Sequence, residues 1–429
     1  MSYTGVDIVE VRAWGNLVGA LTRSADANIY VFQYAPEWIR SGIELSPIEM
    51  PLRRAPYVFP NLSQGTFQGL PPMIVDSLPD SFGNALIDAW MADQGIARSL
   101  VTPLDRLVYL GKRGMGALEY EPDYSPKSIA PSALDMSELI IAARAAVQGT
   151  LLDDESAQQS LQQIVNVGIS AGGARAKAIV NVDPRSLEVR SGHVPPDDGF
   201  EPWLLKFDGV GRDRQLGGAQ GYGRVEYAYS LMAKRAGIEM GETRLLEEHG
   251  RAHFMTRRFD RDGLEKLHMQ SLTGLSSVDF RATGANSYAQ VFTAAQQLGL
   301  GRTTGTEIWR RMVFNIAATN NDDHAKNVSF LADRVGNWRL SPAYDVTFAF
   351  NPTGEWTNEH QMSVNGKFRD IGYDDIMAVA DLFEVERTAP VLQEIRDALD
   401  SWKQFAATAG VPVTQSDAIA RQFHTEVLH

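Results

Sequence analysis

The chain has 429 residues, of which 44% are apolar and 22% charged, the composition of a folded polypeptide long enough for two or three domains. Its formal net charge of −13 excludes nucleic-acid binding by bulk charge, and its lack of cysteine excludes disulfides, thiolate metal sites and thiol nucleophiles. No apolar run approaches the roughly 18 residues of a membrane span, and residues 1–7 carry no basic-then-apolar leader, so the expectation is a cytoplasmic protein without membrane association.

From the N-terminus, residues 6–35 read as short strands. Val9, Val11 and Ala13 alternate with Glu10 and Arg12, Gly15-Asn16 makes a turn, and Leu17, Val18 and Leu21 resume before a further strand over 29–34. Residues 47–72 are rich in Pro, Gly and Ser, with Leu52-Arg53-Arg54 in their midst, and read as loops and short strands. A helix is predicted after Asp80-Ser81, with Ser81 as its cap and Leu86, Trp90 and Met91 on one face. The run from Gly111 to Leu118 has the look of a phosphate-cradling loop, but a glycine turn between a helix and a strand is the favoured reading. A Pro- and Ser-rich boundary follows over 122–134, then helical patterns over 135–148 and 154–166.

The first stretch with chemistry in it is 167–177. Small residues including Gly172, Gly173, Ala174 and Ala176 let backbone N–H groups approach an anion, and Arg175 and Lys177 add positive charge. These residues alone leave a phosphate loop and a solvated hairpin both open. A Walker-type loop is disfavoured, because Ala178 follows Lys177 where that loop carries Ser or Thr. Lys206 lies inside an otherwise apolar strand, with Glu226 on a helical run as an available partner. It either aims a charge at nucleotide phosphates or snorkels at a sheet edge. The segment 253–261 is a strand entering a charged turn, either a hinge beside an adenine ring or an ordinary strand end.

A helix over 306–319, striped by Ile308, Met312 and Ile316, feeds into the densest polar cluster, Thr319-Asn320-Asn321-Asp322-Asp323-His324-Ala325-Lys326-Asn327. A short hairpin later comes Ser341-Pro342-Ala343-Tyr344-Asp345-Val346. Asp, Asn five positions on, then a second Asp is the set a phosphoryl-transfer site needs: one acid for the attacking hydroxyl, and Asn plus Asp to hold magnesium. A metal-dependent hydrolase of Asp322, Asp323, His324 and Asp345 competes, but no other histidine sits at helical spacing from His324. Farther on, Phe348 and Phe350 are expected in the core, with helices over 374–383 and 390–409, the latter burying Val391, Ile395, Leu399, Trp402 and Ala406.

Taken together, these residues resemble the HipA-type serine/threonine kinases, toxins of bacterial type II toxin–antitoxin pairs. The resemblance is carried by Asp322-x-His324-x-Lys326-Asn327 and Ser341-Pro342-x-Tyr344-Asp345-Val346. Supporting stretches are Ser170-Ala171-Gly172-Gly173-Ala174-x-x-Lys177, Leu205-Lys206, Arg258-Phe259-Asp260-Arg261, and, towards the N-terminus, Tyr34-Ala35-Pro36-Glu37-Trp38, Leu52-Arg53 and Gly114-Met115-Gly116-Ala117-Leu118. It implies an α+β fold with a protein-kinase-like two-lobed core: a small β-rich N-terminal domain over 1–125, an N-lobe-like region over 126–262 and a mostly helical C-lobe over 263–429. It implies Asp322 as catalytic base, Asn327 and Asp345 as Mg2+ ligands, and Gly172 to Lys177 with Lys206 on the ATP phosphates. Arg257, Arg258 and Phe259 would line the adenine pocket, with His324, Lys326 and Tyr344 beside the nucleotide. Ser170 would be an autophosphorylation site. The implied partners are a HipB-like helix-turn-helix antitoxin, through which DNA is met indirectly, and a translation-related protein substrate such as an aminoacyl-tRNA synthetase. A catalytically silent scaffold binding nucleotide and antitoxin is the alternative. Two departures stand out: Arg175-Ala176 where some members have Gln-Glu, and Asp323 where some have Gly.

Overall fold

The computed structural model describes residues 3, 5–24, 28–125, 134, 136–148, 164–165, 175–193, 196–208, 221–248 and 250–429. The chain divides into two compact units, one of Met1–Arg212, Met255–Gln270 and Leu331–Asn337, the other of Asp213–Phe254, Ser271–Phe330 and Trp338–His429.

In the first unit, four antiparallel strands pair in the order Tyr30–Tyr34, Asn16–Arg23, Ile8–Ala13, Leu118–Glu121. The alternation read from the sequence is realised: Val9, Val11 and Ala13 are buried while Glu10 and Arg12 face outward as an ion pair. Trp14 and Gly15, both in the left-handed region, close the first hairpin. Gly19 admits no side chain, since a Cβ there would lie 2.3 Å from the Gln33 carbonyl oxygen. Phe32, Trp38, Phe67, Ile74, Leu107 and Tyr120 fill the core beneath this sheet.

The helix Ser81–Asp93 is capped by Asp80, whose carboxylate accepts from Gly83 N at 2.8 Å; Ser81, the expected cap, is the first helical residue. Asp80 wins because a carboxylate at the helix N-terminus also meets the positive end of the helix dipole. The glycine run after helix Pro103–Leu110 is a turn into strand Leu118–Glu121, as favoured above. Helix Met136–Gln148 forms where expected, whereas most of the pattern over 154–166 lies outside the described residues. The strand Lys177–Val182 pairs antiparallel with both Val189–Ser191 and Glu201–Lys206.

The second unit is mainly helical. Helix Arg302–Ala317 begins one turn before the predicted start and buries Ile308, Met312 and Ile316. The single helix expected over 390–409 is two, Thr388–Asp400 and Trp402–Thr408, parted at Ser401, with all five expected residues buried. Trp402 packs edge-on against Tyr229 and Phe423, at 5.2 and 5.8 Å between ring centroids. Phe348 and Phe350 are only half-buried, because Ala349 between them faces inward and pairs with Asn320. Helix and sheet occur together, as the α+β class requires, and among the described residues no helix is long and apolar enough to cross a membrane.

Candidate active site

The polar cluster begins where helix Arg302–Ala317 is forced to stop. Thr319 turns left-handed at φ 58° and its hydroxyl donates to the Gln422 carbonyl. Asn320 N bonds back to Asn315 O at 2.8 Å, Asn321 N donates to Ala349 O at 3.0 Å, and Ala349 N donates to Thr319 O at 3.1 Å. The chain then passes through a short 3-10 turn, Ala325–Asn327, into strand Ser329–Ala332. The loop is therefore tied by backbone bonds before its side chains are considered.

The two adjacent aspartates point opposite ways. The Asp322 side chain is 42% exposed, whereas that of Asp323 is 0% exposed. His324 Nε2 lies 3.8 Å from Asp322 Oδ1, beyond hydrogen-bond distance. His324 in turn packs on Phe280 at 5.4 Å between ring centroids, and Lys326 Nζ sits 5.3 Å over the same ring. Asn327 Nδ2 donates to the Asp322 carbonyl at 2.8 Å, which leaves its amide oxygen as the atom suited to a cation. Tyr344 OH donates to Lys326 O at 2.6 Å and also meets Ser329 Oγ, pinning the segment that carries Asp345 to the end of the loop. Asp345 adopts a left-handed φ of 54°, a strained setting for a non-glycine residue.

Asn327, Tyr344 and Asp345 line one pocket, together with the apolar Val291, Ile308 and Met362. One amide and one carboxylate suit magnesium, which takes few protein ligands and completes its shell from phosphates and water. Among the described residues no group of three or more His, Asp or Glu converges on one point. The hydrolase alternative also loses Asp323, whose oxygens are engaged in the protein interior.

That interior network was not legible in advance. Asp323 Oδ2 accepts from Tyr288 OH at 2.7 Å and from His360 Nδ1 at 3.0 Å, and Oδ1 accepts from Gln361 N at 2.7 Å. Tyr288 OH accepts from Asn315 Nδ2 at 3.0 Å, and Asn315 Oδ1 accepts from Asn320 Nδ2 at 3.0 Å. Burial, and then the neighbouring Asp323 charge, raise the Tyr288 phenol well above its ordinary value, so it stays a donor. The available signal was Asp323 itself, since a carboxylate beside a working acid is either a second working acid or a buried group that needs donors.

The first unit holds the other candidate residues it describes. Lys177 and Lys206 stand directly opposite one another in adjacent antiparallel strands and are 2% and 7% exposed. Ala176 is buried and its carbonyl accepts from Phe207 N at 3.0 Å, while Arg175 is half-buried. Arg257 is exposed, 3.5 Å from Glu201, and Phe259 is half-buried. Arg258 is buried, and its guanidinium is committed to Asp260, at 2.9 Å from Nε to Oδ1 and 2.6 Å from Nη2 to Oδ2. Arg261 Nη1 and Gly116 N complete the Asp260 set at 2.6 and 2.8 Å. Burial works to raise the Asp260 carboxyl, yet the two guanidinium charges prevail and hold it well below the usual carboxylate range. Ser170, Gly172, Gly173 and Ala174 lie outside the described residues. In the second unit, Glu226 is buried on helix Tyr222–Arg235.

Comparison with known proteins identifies what the chain is similar to. The HipA-like C-terminal domain matches residues 169–428, and the HipA N-terminal domain matches 9–121. The HipA of Shewanella oneidensis MR-1, solved with HipB and operator DNA, superposes with a TM-score of 0.67 at 16% identity, covering 98% of this chain and 96% of that one. A curated Haemophilus influenzae protein described as a putative kinase is 26% identical over 134 residues, 28% of this chain. The match spans only 39% of that relative's own length. A Helicobacter pylori proinflammatory kinase, CtkA, gives a TM-score of 0.33 at 14% identity, over 53% of this chain and 90% of that one.

The fold is thus an α+β architecture like that of the Shewanella HipA. Two HipA domain matches, one of them spanning more than half the sequence, make the assignment specific: the chain belongs to the HipA family.

Proposed function

We propose that this chain is an ATP- and Mg2+-dependent serine/threonine protein kinase of the HipA toxin type. The observation that carries the reading is the division of labour in the 322–327 loop. The Asp322 side chain is 42% exposed, while Asn327, five residues on, is bonded to the Asp322 carbonyl and shares a pocket with Asp345. A base must be reachable by the hydroxyl it serves, and must be held relative to the phosphoryl group it attacks.

In this reading Asp322 orients the acceptor hydroxyl and takes its proton, while Asn327 and Asp345 hold the metal. Those two residues would hold magnesium, which would supply positive charge to offset what develops on the transferring phosphates. Lys177 and Lys206 concentrate two positive charges on neighbouring strands, suited to ATP phosphates, and His324 and Lys326 add polar groups next to the base. Ser170 is assigned as an autophosphorylation site, and a translation-related protein, such as an aminoacyl-tRNA synthetase, as the substrate class. A HipB-like antitoxin is the proposed partner, by likeness to the Shewanella HipA, which was solved with HipB and operator DNA.

The test is transfer of labelled γ-phosphate from Mg-ATP by the native chain and by Asp322→Gln. The native chain should label itself or a lysate protein, and the variant should retain nucleotide binding with label reduced at least a hundredfold. Equal labelling by both would remove Asp322 from the mechanism. ATP binding without any transfer by the native chain would leave the silent scaffold. Intact-mass measurement with Ser170→Ala locates the modified residue.

A further inference from the structure

We infer that Asp323 is a positioning residue for Asp322, acting through the buried chain that joins it to Tyr288, His360, Asn315 and Asn320. The inference rests on the kinase reading above.

Asp322 is flanked on both sides by anchored residues. Behind it, Asn320 is fixed through its backbone N–H to Asn315 O and through its side chain to Asn315 Oδ1. Ahead of it, Asp323 has both oxygens occupied, by Tyr288 OH and His360 Nδ1 on one and by Gln361 N on the other. The two anchors are not independent. Asn315 bonds Asn320 with one end of its amide and Tyr288 OH with the other, and Tyr288 OH in turn donates a hydrogen bond to Asp323. One line of hydrogen bonds therefore runs from the residue two before Asp322 to the residue one after it. Its direction is set at the carboxylate end, because a carboxylate only accepts; this fixes the Tyr288 hydroxyl, then the Asn315 amide, then the Asn320 amide. The backbone of Asp322 is held by what Asp323 does inside the protein, while the Asp322 side chain stays outside.

The alternative is that Asp323 merely stabilises the fold. A stabilising role would lower the fraction of folded protein and leave each folded molecule working normally. A positioning role lowers the rate of molecules that are folded and bind nucleotide. The experiment therefore counts nucleotide sites by titration with Mg-ADP and divides the rate of γ-phosphate loss from Mg-ATP, to protein or water, by that count. Asp323→Ala should reduce the rate per site by about a hundredfold, the penalty of a displacement near 1 Å at a reacting group, with KM for ATP within about threefold of the native value. Asp323→Asn keeps an oxygen for Gln361 N and can meet Tyr288 and His360 with reversed polarity, so it should recover to within about tenfold of native. Asp322→Gln is run beside them. If Asp322→Gln is inactive and Asp323→Ala turns over normally per site, the positioning role is wrong and the kinase reading survives. If Asp322→Gln is itself active, the kinase reading fails first. Loss of rate per site in Asp323→Ala without recovery in Asp323→Asn would also overturn the inference, because the hydrogen-bonded chain would then not be what matters.

Discussion

Replacing Asp260 by alanine isolates the strongest electrostatic arrangement in the first unit. Its side chain is 0% exposed and accepts from Arg258, which is 3% exposed, and from Arg261, which is 12% exposed. The Arg258 contact is bidentate, and the Gly116 N–H adds a further bond at 2.8 Å. Truncation leaves two guanidinium groups buried beside each other without their shared carboxylate, and removing one partner of a buried pair costs about 3–5 kcal/mol. In a folded unit of this size, about 2–4 °C of melting temperature is lost per kcal/mol, so the melting point should drop by roughly 6 to 20 °C. Thermal unfolding followed by far-UV circular dichroism measures it. The double variant Arg258→Met with Asp260→Leu should recover part of the loss, since an apolar pair of similar volume avoids the stranded charge. A melting point within about 2 °C of native for Asp260→Ala would refute the argument, showing that water or rearrangement neutralises the arginines. The consequence reaches the 114–116 turn, because Arg258 and Arg261 both donate to Gly114 O and Asp260 accepts from Gly116 N.

Two further outcomes follow from the same coordinates. His268 is wholly buried, and burial lowers it to about 4 despite its bond to the Leu45 carbonyl. With the folded value depressed below the ordinary 6.5, its contribution is intact above pH 6.5 and is lost as pH falls towards 4, by on the order of 3 kcal/mol; His268→Gln should flatten this part of a urea-midpoint against pH curve. Lys206→Met should keep the strand, since the site is 7% exposed, but weaken Mg-ATP binding by roughly 10- to 100-fold, the worth of a hydrogen bond to a charged group; unchanged affinity by calorimetry would take Lys206 out of the phosphate site.

What the sequence made legible follows from the range of the forces involved. Period-two burial at Val9, Val11 and Ala13, the stripe of Ile308, Met312 and Ile316, and the five residues from Val391 to Ala406 are local patterns, and each is buried as read. The break at Ser401 was not legible, because the apolar stripe continues across it and carries no glycine or proline to mark the stop. The cap lies at Asp80 and not Ser81, and the sequence offers both adjacent residues as competent caps, differing chiefly in the carboxylate charge that favours Asp80 at the helix N-terminus. Asp322, Asn327 and Asp345 were visible as a spaced set, whereas Tyr288, Asn315, His360 and Gln361 were not. Their partner Asp323 is 35 and 37 residues from Tyr288 and His360, and nothing in one sequence pairs side chains at that separation. Arg258 shows the converse problem: its position in a charged turn suggested a ligand contact, and the neighbour two residues on takes its guanidinium instead.

The density of polar residues over 319–327 has a physical explanation that neither fold stability nor surface solubility supplies. Asn320, Asn321 and Asp323 are nearly all buried, and burying amides and a carboxylate is unfavourable relative to apolar side chains of the same size unless each finds partners. Here the amide donors and the carboxylate find partners: Asn320 Nδ2 donates to Asn315, Asn321 Nδ2 donates to Thr357 O, and Asp323 accepts from three donors, while among the described residues the Asn320 and Asn321 side-chain oxygens are left without one. An apolar loop would pack as well but would slide, since dispersion has little directional preference. Hydrogen bonds fix both distance and angle, and here they fix the backbone on both sides of the half-exposed Asp322. The loop therefore gives up stability relative to an apolar packing and gains a single position for Asp322, the property that its proposed role as phosphoryl-transfer base would require and a surface turn would not.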